Sequence, residues 1–371
     1  MFRPKKYIHF IQSLSNGGCE NMLLRLLPAI NNGQTQHIVI TLREEGVLSR
    51  EFISRGIIVE NVGQKNFFDF FSYFRLVDLI KKNQPAAIIT YLFRADLIGR
   101  FFLQFLYKQP VVSYLRTTYN SDKMKFLPAR IFEIVSKKIA KKYLANSQAI
   151  KDYYVNKFHV QSEKITVIPN GIDVSLYKDI KRNNELRRKL SINDNDFVII
   201  CVANFHIYKG HKYLLEAFEI LYNSKKNIHL LLVGEGKEKD NLVEQIKDYE
   251  SKKHIHFLSR RNDVPELLKI SDLFILATLF EGMSNAIMEA MASGIAIIAT
   301  DIPENRQLIK NNETGLLVSS RNSQAISRAI EKIIENGNLK ESLCKKAQEK
   351  ISSDYDLKIV AEKFSKYLND L

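Results

Sequence analysis

Residues 277–301 read ATLFEGMSNAIMEAMASGIAIIATD, and this stretch decides the fold. Phe274, Ile275 and Leu276 come before it as the end of a strand. Glu281 falls in the following loop with Gly282 behind it, where the backbone can come close to a ligand. Ser284 and Asn285 are both residue types that cap helix N-termini. From Ala286 to Met291 helix formers run without a breaker. Gly294 ends the helix, and Ile295-Ala296-Ile297-Ile298 reads as a buried strand. Strand, loop, helix and strand make one unit of a parallel sheet.

Two carboxylates frame this unit, Glu281 in the loop and Glu289 about two turns into the helix. Between them an open helix N-terminus offers unpaired N–H groups and the positive end of the helix dipole. Such a site suits a sugar nucleotide: N–H groups for the diphosphate, one carboxylate for a ribose diol, the other for sugar hydroxyls. The same spacing also fits an ordinary βαβ unit with two surface glutamates.

The run E-G-M-S-N-A-I-M-E at 281–289, followed by A-M-A-S-G-I-A-I-I-A-T-D, resembles the signature of the retaining glycosyltransferases of family 4, the group 1 glycosyltransferases. The resemblance implies an α/β chain of GT-B fold, two Rossmann-like domains whose parallel sheets face across a cleft. It implies donor contacts at Gly282, Met283, Ser284, Asn285 and Glu289, with Glu281 positioning the sugar rather than acting as a nucleophile.

The rest of the chain agrees. Its 371 residues suggest two domains of ordinary size. An apolar fraction of 45% with 26% charged residues is that of a soluble globular protein. Cys19, Cys201 and Cys344 match no metal spacing and no disulfide framework, which points to a reducing cytoplasm. The start, MFRPKKYIHFIQSL, reads as a first strand rather than a signal peptide. No apolar stretch reaches the length that spans a bilayer. Charge is uneven: residues 1–180 hold 26 lysines and arginines against 14 aspartates and glutamates, the remainder 29 against 27. A basic first half suits nucleic acid, an anionic membrane surface or an acidic acceptor.

In the first half, strands are predicted at 7–11, 37–42, 57–62, 86–91, 111–115, 143–145 and 165–168, with helical stretches between most of them. Ser15-Asn16-Gly17-Gly18-Cys19-Glu20 follows the first strand and opens a helix. Gly17 and Gly18 there let backbone N–H groups approach a phosphate or sugar, and the loop resembles the family's G-G-A-E with Cys19 in place of alanine. Arg94, and Arg116 with Thr117, follow strands, where ligands bind in open sheets. They are the candidates for acceptor binding, and a structural arginine paired with a carboxylate fits as well; some relatives carry a histidine near the second position, a role that Arg116 and the two threonines do not take over. Residues 126–142, FLPARIFEIVSKKIAKK, read as an amphipathic basic helix, and 67–76, FFDFFSYFRL, are unusually aromatic. Each could touch a membrane or pack on the sheet.

V-I-P-N-G-I-D at 167–173 resembles the family's interdomain segment. The first domain is placed at 1–178 and the second at 179–354, with 355–371 as a helix crossing back to the first. In the second half, strands are predicted at 197–202, 229–233 and 255–258. The first ligand loop runs from Ala203 to His211. The resemblance carries Lys209 over to the diphosphate, but where relatives hold an arginine, five residues earlier, Asn204 stands; His206 or Arg260 could compensate. Gly234 in Gly234-Glu235-Gly236, and Arg261 in the loop after the third strand, complete the donor candidates.

The implied activity is transfer of a hexose or N-acetylhexosamine from a nucleotide sugar, a UDP-sugar first among them. The acceptor would be a lipid-linked glycan or glycolipid in bacterial surface polysaccharide synthesis. Lys209 and the helix N-terminus would take up charge on the leaving diphosphate, so no cofactor and no metal are required. Asp194-Asn195-Asp196 matches the metal-binding D-x-D formally but reads as a turn between domains. The expected setting is cytoplasmic, peripheral on the inner face of the cytoplasmic membrane and in contact with anionic lipid. A sugar-nucleotide epimerase of the same fold, or a transferase with a soluble acceptor, are alternatives. The loops lack the G-x-G-x-x-G of a dehydrogenase, and no nucleic-acid module is present.

Overall fold

The computed structural model describes residues 4–66, 68–118 and 127–371. The chain forms two units, Met1–Gly171 with Leu357–Leu371, and Ile172–Asp356.

The sheet of the first unit contains β1 (Lys5–Ile11), β2 (Thr35–Thr41), β3 (Ile58–Asn61), β4 (Ala87–Tyr91), β5 (Val111–Leu115), β6 (Lys142–Ala145) and β7 (Ile165–Val167). Its order is β3-β2-β1-β4-β5-β6-β7, and every neighbouring pair is parallel. Alternation along β1 sends Tyr7 and Ile11 to one face and Ile8 and Phe10 to the other, and both faces are covered. The first face packs on helix Leu357–Asn369 through Val360, Phe364 and Leu368, and the Tyr7 hydroxyl donates to the Leu368 carbonyl at 3.1 Å. His9 also lies here, fully buried, its Nδ1 2.8 Å from the Tyr91 hydroxyl and its Nε2 3.0 Å from His37 Nδ1. Burial holds both imidazoles below their ordinary range, His37 to about 4.

On the other face the fully buried Arg100 joins three elements. Its guanidinium pairs with Asp96 at 2.5 Å and Glu133 at 2.6 Å, and it donates to Ser113 and Ser136 at 2.8 and 2.9 Å. Burial pushes the Glu133 carboxyl up, against the pull of Arg100. The expected basic helix over 126–142 is shorter than its sequence pattern. It spans Leu127–Ser136; Lys137 and Lys138 lie in a turn, and Lys142 starts β6. Ser136 is anchored on Arg100, and the chain beyond it must extend to pair between β5 and β7. Phe126, and Phe67 of the aromatic run, lie outside the described residues.

The second unit repeats the design with β8 (Phe197–Val202), β9 (Ile228–Val233), β10 (Ile255–Leu258), β11 (Leu273–Leu276), β12 (Ala296–Thr300) and β13 (Leu316–Val318). All neighbours are parallel, in the order β10-β9-β8-β11-β12-β13. Ile172, Val174 and Tyr177, read from sequence with the first domain, are buried in this unit's core. The charged stretch after them is held by Arg187, fully buried, which donates to the carbonyls of Ile270, Asn193 and Asp196 at 2.8, 2.9 and 2.5 Å. Asp196, the second acid of the formal D-x-D, is buried with its Oδ2 3.1 Å from His229 Nε2.

Candidate active site

In a doubly wound sheet the strand order reverses at one point, and loops leaving the carboxyl ends of the strands there diverge to make a crevice. That point lies between β8 and β11 in the second unit and between β1 and β4 in the first.

In the second unit the loops after β8 and β11 are locked together. Gly210 adopts φ +68°, and a Cβ on it would stand 2.0 Å from the Ala277 carbonyl oxygen, so only glycine fits. Leu279 N donates to the Tyr208 carbonyl at 2.7 Å. Thr278 Oγ lies 3.1 Å from the same carbonyl and 2.9 Å from that of Phe280. The aromatic rings follow the backbone: Phe280 stacks on Tyr208 at 4.6 Å between centroids, and His206 stacks on Tyr208 at 5.4 Å. Within this frame Lys209 Nζ pairs with Glu281, both mostly buried. Gly234, at the end of β9, presses on the loop after β8 as closely: a Cβ would stand 2.2 Å from the Ala203 carbonyl oxygen.

Ser284 caps helix Asn285–Ser293, its hydroxyl accepting from Ile287 N at 3.3 Å. Glu289 is half-buried in the second turn. The Met283 side chain belongs to the core, so only its backbone can face a ligand. Asn204 is exposed, and Arg261 is engaged by Asp263, whose carboxyl it holds below the usual carboxylate range. Asn204, Lys209, Gly234, Glu281, Gly282 and Ser284 therefore stand on loops or a cap at one end of one sheet.

His211 was not singled out by sequence reasoning. It is buried directly behind Lys209, with neither ring nitrogen hydrogen-bonded among the described residues, edge-on to Phe205 at 5.0 Å. Burial lowers it to about 4, helped by the charges of Lys209 and His206, so it is neutral at pH 7. Its only sequence signal is its place at the head of the helix after Lys209-Gly210.

In the first unit Gly17 caps helix Gly18–Ile30 without a side-chain bond. The Ser15 hydroxyl donates to buried Glu20 at 2.7 Å. Cys19 is buried, and burial pushes its thiol up to about 12, so it is no nucleophile at neutral pH. Arg116 lies 5.2 Å over the Tyr114 ring and donates to Asn170 at 3.1 Å, while its Nη1 is buried without a hydrogen-bond partner among the described residues. Thr117 and Arg94 are exposed.

Two doubly wound parallel sheets, each with its candidate loops at the switch point, define a class, and the comparisons name it. Over 99% of this chain and 100% of the other, the structure resembles HepE of Anabaena in its complex with UDP and glucose, with a TM-score of 0.87 at 22% identity. It resembles TarM with a TM-score of 0.80 at 13% identity, over 99% of each chain. These likenesses give the GT-B fold. Residues 16–176 match the description Glycosyltransferase Family 4, and residues 182–350 match Glycosyl transferases group 1. The chain belongs to this family of glycosyltransferases.

Among relatives, the UDP-Gal:alpha-D-GlcNAc-diphosphoundecaprenol alpha-1,3-galactosyltransferase of Escherichia coli is 27% identical over 72% of this chain and 71% of its own. The capsular polysaccharide biosynthesis glycosyltransferase CapM of Staphylococcus aureus is 25% identical over 82% and 81%. An N-acetylgalactosaminyltransferase of Campylobacter jejuni, whose name also specifies a diphospho-undecaprenol acceptor, is 26% identical over 70% and 67%.

Proposed function

We propose that this glycosyltransferase moves a hexose or N-acetylhexosamine from a UDP-sugar to a lipid-linked glycan in bacterial surface polysaccharide synthesis, with retention of configuration and without a metal ion. The observation that carries the reading is the locked pair of loops after β8 and β11, with Lys209 paired to Glu281 at the switch point. A diphosphate arriving there offers Lys209 a second anion and frees Glu281 to hold sugar hydroxyls. Backbone N–H groups at Gly282 to Asn285 take further phosphate oxygens, and Glu289 takes the ribose diol. The acceptor, bound by Arg116, Thr117 and Arg94, bonds through its hydroxyl to the anomeric carbon on the face from which the diphosphate departs. Its proton leaves on the departing phosphate oxygen, and Lys209 stabilises the charge that builds there. Gly17 and Gly18 complete the donor contacts. His206, stacked beside Tyr208, or Arg260 serves where Asn204 replaces the family arginine.

Names of the Escherichia coli and Campylobacter jejuni relatives support the lipid-linked acceptor. A peripheral place on the inner face of the cytoplasmic membrane is supported by the outer side of three helical segments in the first unit. Phe70, Phe71 and Phe74 on the first, Phe101, Phe105 and Leu106 on the second, and Ile131, Ile134 and Val135 on the third are all exposed. Tyr73 packs edge-on against Phe102 at 5.4 Å, and Phe101 against Phe132 at 5.7 Å, so the three adjoin. No helix among the described residues is long and apolar enough to cross a membrane.

The donor is tested by thermal unfolding against UDP- and GDP-sugars. A UDP-sugar at a hundredfold excess over Kd adds about 2.7 kcal/mol of stability. Glu289→Ala weakens the same ligand by roughly 1.5–3 kcal/mol, the loss of a charged acceptor to buried hydroxyls. Stabilisation by GDP-sugars alone overturns the choice of base, and equal binding by Glu289→Ala overturns the site.

A further inference from the structure

A cleft of about 350 Å³ opens in the first unit beside the carboxyl ends of β2 and β4. Its apolar wall is Leu42, Phe93, Leu97 and Ile98. Arg43, just past β2, and Arg94, on helix Leu92–Ile98, bring two guanidinium groups to it, and no carboxylate lines it among the described residues. Neither arginine side chain has an ion pair or hydrogen bond with the described residues, and Arg43 Nε is shut off from solvent. A buried donor without a protein acceptor leaves a bond that an acceptor from outside the chain could supply.

The parts that carry these arginines are held firmly. Leu92 turns at φ +65°, a conformation side chains resist, to swing Phe93 and Arg94 to the cleft. Behind them Asp96 accepts from the Thr90 hydroxyl at 2.7 Å and from Arg100 at 2.5 Å. On the far wall Gln64 donates to the Ser72 hydroxyl at 3.2 Å, and Asn66 accepts from Phe68 N at 2.9 Å. Phe68, Phe70, Phe71 and Phe74 follow in sequence and are 76, 70, 77 and 68% exposed.

Resting on the lipid-linked acceptor read above, we propose that Arg43 and Arg94 grip the phosphate or diphosphate headgroup of an isoprenoid carrier. The first isoprene units lie against Leu42, Phe93, Leu97 and Ile98, and the exposed phenylalanines meet the chain where it enters the bilayer. Two planar forks a cleft apart match a compact group with several anionic oxygens, and the apolar wall selects one attached to hydrocarbon. A free nucleotide or inorganic anion has no use for that wall.

The test uses the full chain saturated with UDP and titrates farnesyl diphosphate, farnesol and inorganic pyrophosphate by calorimetry. Farnesyl diphosphate binds beside UDP, with the other two at least about tenfold weaker. Arg94→Gln and Arg43→Gln each cost at least about tenfold for farnesyl diphosphate at unchanged UDP affinity. Arg94 is exposed, so its variant carries the test if Arg43→Gln fails to fold. Equal binding by parent and Arg94→Gln, or farnesol as tight as its diphosphate, overturns the site. Pyrophosphate as tight as farnesyl diphosphate reassigns it to a free anion and overturns the lipid. Failure of UDP itself to bind strikes the donor reading instead, and is seen before any lipid is added.

Discussion

At the scale of single residues, burial sets the protonation state of two histidines. His37 in the first unit and His211 in the second both have folded pKa values of about 4 against an ordinary 6.5, because burial disfavours the imidazolium. The unfolded chain therefore takes up protons first. The stability each neutral imidazole contributes is complete above pH 6.5 and is lost as pH falls toward 4, at up to about 1.4 kcal/mol per pH unit. Thermal unfolding between pH 7.5 and 5 should show acid sensitivity in both units, and His211→Leu should flatten that of the second. An unchanged slope in the variant would contradict the burial of a neutral His211. Glu281 and Glu289 could be singled out from their spacing around one βαβ unit, and Lys209 from its likeness to the family's lysine. Sequence could not show His211, or Arg43 in its cleft, since what singles them out is an absent hydrogen-bond partner, set by packing from distant segments. The Asn204 substitution was visible, while the stacking of His206, Tyr208 and Phe280 was not.

At the scale of elements, strands were legible nearly to the residue wherever both faces are covered, because such strands are continuous apolar runs. Val111–Leu115 and Phe197–Val202 are found as read. The basic helix was misjudged in length, since an apolar period of three or four continues through Ile139 although the chain has by then turned toward β6. What ends that helix is also what fixes it: Ser136 and Glu133 meet Arg100, which holds Asp96 as well. Arg100→Met leaves two buried carboxylates with no counter-charge and should cost about 3–5 kcal/mol. Denaturant unfolding measures this, and a loss below about 1 kcal/mol would show the network to be solvated.

At the scale of the whole molecule, two sheets of like design carry different surfaces. Residues 65–142 hold 15 lysines and arginines against 5 aspartates and glutamates, and the apolar outer side of the three adjoining helical segments lies in the same stretch. Charge attracts anionic lipid and is screened by salt, whereas inserted phenylalanines are not. Pelleting with anionic liposomes should fall with salt yet leave a salt-resistant part. Phe71→Ser with Phe74→Ser should remove that part and leave UDP binding unchanged; no pelleting by the parent would favour a soluble acceptor. The central claim, metal-independent transfer with retention from a UDP-sugar through Lys209, meets its most direct test in proton NMR of slow donor hydrolysis in EDTA. UDP-glucose, UDP-galactose and UDP-N-acetylglucosamine are followed through the anomeric signal of the released sugar before mutarotation. The account predicts that one of them first yields the α-anomer in the presence of chelator, and that Lys209→Met slows the release about 10²–10³-fold. A β-anomer first, loss of turnover in EDTA, or a Lys209→Met rate equal to the parent's would contradict it.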